Sequence, residues 1–88
     1  MPTISQFYGI TIKMYFNDIE GHHLPHFHAK YGEYEAAFTL NGRLIAGKFP
    51  HTQLKYIAVW ADIHKDELSA LWDIMQKSDE YFKIKGLE

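Results

Sequence analysis

Cysteine is absent from these 88 residues. That excludes a disulfide scaffold, a thiolate zinc site and a cysteine nucleophile together, and the chain needs no oxidising compartment. Arginine is nearly absent: of nine basic side chains only Arg43 is one, and eleven acidic residues bring the net charge to −2 with neutral histidines. Chains that live by clamping phosphates are as a rule basic, so strong nonspecific nucleic-acid binding is disfavoured. No apolar run nears the roughly 20 residues of a membrane-spanning helix. The first residues lack the basic-then-apolar pattern of a secretion leader, so the expectation is a soluble, cytoplasmic protein with no membrane partner. The six glycines are scattered singly, which rules out a phosphate-cradling loop, and no serine-histidine-aspartate elbow is visible. Aromatics are plentiful instead, at 16% of residues. Bulky rings let a short chain bury enough apolar area to fold, and the length suits a single domain over residues 1–88.

Residues 7–16 alternate, with Tyr8, Ile10, Ile12, Met14 and Phe16 on one side and Phe7, Thr11, Lys13 and Tyr15 among those opposite. A two-residue period rich in β-branched and aromatic side chains predicts a strand. Asn17, Asp18 and Gly21 mark a loop running to Pro25. Residues 26–31 alternate again, His26, His28 and Lys30 against Phe27, Ala29 and Tyr31, and Gly32 breaks the pattern. A third strand is expected over 34–40. Asn41-Gly42 then predicts a type I′ turn, because both central residues of that turn need positive φ. A fourth strand over 43–49 ends at Pro50, which has no N–H for a ladder.

Over 51–78 the period changes. Ile57, Ala61, His64, Leu68, Leu71 and Met75 step by four and three, with Trp60 and Trp72 beside them, the stripe of an amphipathic helix. Asp66 and Glu67 could open a second helix after a break near His64-Lys65, but the unbroken stripe favours a single long helix, straight or kinked. Residues 81–84 alternate weakly, as a short edge strand would. The expected architecture is α+β: an antiparallel sheet of about four strands with one C-terminal helix packed on one face. The opposite face then has no cover within the chain. Alternation assigns Lys13, Tyr15, His26, His28, Lys30, Glu35 and Thr39 to it.

Four histidines fall between His22 and His28. Two residues apart on a strand point the same way, so His26 and His28 are candidate ligands for a divalent metal such as zinc, nickel or manganese. Glu35, His22 or His23 would supply a third ligand. The same imidazoles suit metal-free acid–base catalysis, with Lys13 or Lys30 stabilising developing negative charge and Tyr15 stacking on a base. His26, His28, Tyr15 and Lys30 are therefore the candidate catalytic residues. The plainer interpretation makes His22 and His23 solvated loop residues, and His26 and His28 polar side chains of a half-exposed strand or a partner contact. His64, on the helical stripe, is expected to be a half-buried structural histidine.

The stretches Pro2–Ile10, Met14-Tyr15-Phe16-Asn17-Asp18, Pro25-His26-Phe27-His28-Ala29 and Tyr31–Ala36 resemble the family called domain of unknown function 4160. Gly47–Pro50, Trp60, Glu67-Leu68 and Trp72 fit its second half. The loop carrying Glu20-Gly21-His22-His23 departs from the pattern, which makes those two histidines poor candidates for a shared role. The resemblance implies a small bacterial protein, often encoded beside a second small protein of domain of unknown function family 2442 in an arrangement like a toxin–antitoxin pair. It brings no established catalytic residue. The leading expectation is thus an interaction protein that binds such a partner, or a second copy of itself, through the open sheet face. The competing expectation is a histidine-based ribonuclease or metal-dependent hydrolase built on Pro25-His26-Phe27-His28. Nucleic-acid binding as an autoregulator is a third, less favoured by charge.

Overall fold

A computed structural model describes residues 2–16 and 24–88. Five strands, β1 (Thr3–Phe7), β2 (Ile10–Lys13), β3 (His26–Tyr31), β4 (Tyr34–Thr39) and β5 (Leu44–Gly47), precede two helices, α1 (His51–Ile63) and α2 (Lys65–Lys77). The strands form one antiparallel meander in sequence order. The α+β class stands, with five strands and two helices in place of about four strands and one helix.

The additional strand is β1, which was not expected and overlaps the strand expected over 7–16 only at Phe7; that segment opens instead with a turn. Tyr8 (φ +49°) and Gly9 (φ +79°) both adopt left-handed backbone and Phe7 pairs with Ile10, so the chain reverses there in a type I′ turn. Tyr8 is the only non-glycine with positive φ among the described residues. Its ring packs 5.0 Å from that of Tyr56, a contact that offsets the roughly 1–2 kcal/mol such backbone costs an L-residue. Asn41-Gly42 forms a different turn from the one expected. Thr39 N–H donates to the Arg43 carbonyl (2.9 Å) and Gly42 N–H to the Thr39 carbonyl (2.8 Å), while only Gly42 is left-handed. That is a three-residue loop, a type I turn closed by a glycine bulge, with Leu40 drawn out of the strand.

The helices interrupt at His64, whose φ of −109° and ψ of 23° lie off the helical values. His64 N–H still donates to the Trp60 carbonyl and Leu68 N–H to the His64 carbonyl, so the stripe continues across the break. Asp66 and Glu67 occupy the first turn of α2, where carboxylates complement the helix dipole. His64 Nδ1 donates to the Glu67 carboxylate at 2.6 Å, and its side chain is only 13% exposed, which is the structural role expected of it.

Both helices cover one sheet face. Ile57, Trp60, Ala61, Leu68, Leu71 and Met75 share a core with Ile10, Ile12, Phe27, Ala29 and Phe38. Residues 84–86 run along the outer edge of β1. Ile84 N–H donates to the Ile4 carbonyl (2.7 Å), the fully buried Trp60 donates through Nε1 to the Lys85 carbonyl (2.9 Å), and Gly86 lies so close that a Cβ there would meet the Gln6 carbonyl oxygen at 2.6 Å. The segment expected as an edge strand over 81–84 therefore makes an edge contact without forming a regular strand. Among the described residues no helix is long and apolar enough to cross a membrane.

Candidate functional site

The face away from the helices is set by cross-strand register. Thr11 pairs with Lys30, Lys13 with His28, His28 with Ala37, and Lys30 with Glu35. Residues directly opposite one another share a face, so these side chains form two adjoining rows across β2, β3 and β4. Ala37 is buried yet does not belong to the helix-side core, consistent with the rows closing over a small side chain.

Those rows enclose a shallow depression of about 90 Å³, lined by Thr11, Lys13, Tyr15, His28, Lys30 and Glu35 together with the backbone of Ala29 and Ala36. One wall is aromatic: the rings of Tyr15 and His28 lie 4.4 Å apart at 36°. The rim is charged. Lys30 Nζ stands 3.8 Å from Glu35 Oε1, with both side chains well exposed, and Lys13 has no ion-pair partner among the described residues. Of the residues that the sequence nominated, Tyr15, His28, Lys30 and Glu35 thus meet in one place, joined by Lys13.

His26 differs. Its ring is 5.1 Å from that of His28 but only 1% exposed. Trp72 of α2 packs 5.3 Å from it, and Nδ1 donates to the Leu24 carbonyl at 2.8 Å. Strict alternation assigns His26 to the open face, but the Trp72 ring, from the middle of α2, packs against it there and it is buried. Gln76 of α2 marks the same approach, donating through Nε2 to the Tyr15 carbonyl at 3.0 Å. The two imidazoles are neighbours, but only that of His28 lines the depression.

Among the described residues no group of three or more His, Asp or Glu side chains forms a metal-ligand set. His22 and His23, the other nominated ligands, and the loop signals Asn17, Asp18 and Gly21 lie outside the described residues. Thr11 and Trp72 carry roles that spacing did not assign to them: Thr11 was legible from its position two residues before Lys13, whereas the covering by Trp72 depends on how α2 packs against the sheet.

Residues 9–73 match the model of the family described as Domain of unknown function (DUF4160). The chain belongs to this family. The matched span takes in β2 to β5, α1 and most of α2, and with them every side chain of the depression. Members of the DUF4160 family would therefore share the sheet that carries the depression, whereas most of β1 and the strap over 84–86 fall outside the match. No curated protein and no solved structure matches the chain.

Proposed function

We propose that this DUF4160 protein is a small interaction module that docks a partner protein on its open sheet face, as one half of a toxin–antitoxin-like pair. The observation that carries this reading is the depression itself: Tyr15, His28, Lys13 and Lys30 converge on the part of the sheet face that lies outside the helix-side core and beyond the cover of Trp72. Aromatic and amphipathic side chains around a recess supply contact area at low entropy cost. A cytoplasmic setting suits a chain without cysteine.

Histidine chemistry is less well supported by the same geometry. A two-imidazole acid–base mechanism needs both rings within hydrogen-bond reach of one substrate, and His26 is held under Trp72. Metal-dependent hydrolysis would need a third ligand beyond the two histidines.

The test is co-expression with the product of the adjacent gene, followed by size exclusion. A co-eluting complex is expected, and a Thr39→Arg change on the same face should disperse it. Independent migration of the two proteins would refute the docking reading. Growth arrest on expressing the protein alone, abolished by His28→Ala with the fold intact, would replace it with catalysis.

A further inference from the structure

We infer that the depression between β2 and β3 is a carboxylate site, seating one acidic side chain of the docked partner between Lys13 and Lys30. This rests on the open-face reading and adds the chemistry of the occupant. Register makes the two lysines diagonal neighbours across the β2–β3 pair, roughly 7 Å apart at their Cβ atoms. Two ammonium groups on flexible stems from such positions can converge on the two oxygens of one carboxylate.

The electrostatics favour that occupant. Lys13 brings a charge with no ion-pair partner among the described residues, and Lys30 is committed only to an exposed contact of 3.8 Å with Glu35. Exposed pairs of that kind are worth little, so an incoming carboxylate displaces Glu35 cheaply. Thr11 adds a hydroxyl to the lining, and the neighbouring Tyr15 and His28 rings wall one side of the recess. A nucleic-acid backbone is the weaker fit. Its affinity comes from neutralising many phosphates, and this chain carries one small cationic recess, a single arginine and a net charge of −2.

The probe is a hexaglutamate peptide, titrated into the full isotope-labelled chain and followed by backbone amide shifts, with hexaglutamine and a dodecameric oligoadenylate as comparisons. Saturable shifts centred on Thr11–Tyr15 and His28–Lys30 are expected with hexaglutamate alone. The double variant Lys13→Gln, Lys30→Gln should keep its dispersed spectrum and bind roughly tenfold more weakly. No saturable response at those amides, or an undiminished one in the double variant, overturns the carboxylate site. Tighter binding of oligoadenylate through the same two lysines also overturns it. In the co-expression assay, a complex lost on Thr39→Arg but retained by the lysine double variant refutes the carboxylate site while leaving the docking face in place.

Discussion

Trp60 offers the sharpest test of how this small domain is held shut. Its indole is fully buried, 5.4 Å from the Phe7 ring and 5.5 Å from that of Phe27, and its Nε1 donates to the Lys85 carbonyl. Trp60→Phe keeps most of the ring packing and removes the donor. The lost hydrogen bond is worth about 1 kcal/mol. The void left by the pyrrole ring, roughly 40 Å³ at about 24 cal/mol per Å³, adds about 1 kcal/mol. The apolar area no longer buried brings the total to about 2–3 kcal/mol, and in a domain of this size each kcal/mol shifts Tm by roughly 4–8 °C. Urea unfolding monitored by far-UV circular dichroism measures the cost, and hydrogen exchange at the Ile84 amide reports on the strap. That amide should exchange well before global unfolding in the variant, since its bond to Ile4 is held in place by the neighbouring Trp60–Lys85 bond. Trp72→Phe is the control: Trp72 is half-buried, so its cost should be about 1 kcal/mol, with Ile84 undisturbed. A Trp60→Phe cost below 1 kcal/mol, with Ile84 protected as in the parent, would refute the reasoning.

Ser5 is buried with no hydrogen-bond partner for its hydroxyl among the described residues, so Ser5→Ala should raise stability by about 1 kcal/mol in the same urea assay. Gly42→Ala should cost about 1–2 kcal/mol, because the residue has φ +82° and a Cβ would stand 3.0 Å from Ala58 Cα. Asn41→Ala should change stability by less than about 0.5 kcal/mol, since Asn41 is not left-handed; a type I′ turn would make both substitutions costly. Glu67→Ala removes the acceptor of His64 Nδ1 and a favourable charge from the first turn of α2, and thermal unfolding should register a loss of about 0.5–1 kcal/mol after allowance for the half-exposed carboxylate.

Much of this molecule was legible from periodicity. β3, β4 and the helical stripe lie where alternation and 3.6-residue spacing put them, and Ile57, Ala61, Leu68, Leu71 and Met75 are all buried. The failures have local causes. Tyr8 is a poor residue for left-handed backbone, so nothing at that position announced a turn; the burial of Phe7 against the exposure of Tyr8 follows only once Phe7 and Ile10 share a face. The helix break hid because hydrogen bonds on either side of His64 preserve the stripe. For the candidate site, register delivered His28, Lys13, Lys30 and Glu35 together, since cross-strand pairing is a local consequence of the hairpins. The burial of His26 is tertiary, set by the packing of Trp72 of α2 against it, and no spacing within the strand encodes it.

The order of assembly follows from the meander. Each strand pairs with its neighbour in sequence, so the sheet can zip up hairpin by hairpin at low loop-closure cost. Ile84 meeting Ile4 is the exception, a stitch between segments far apart in sequence. While the protein is being synthesised, β1 has its hydrogen-bonding rim bare until that stitch has left the ribosome. An unpaired strand rim is where a nascent chain is most open to capture by another. Anything that delays residues 84–86 lengthens that window, even though none of them lines the recess beside His28.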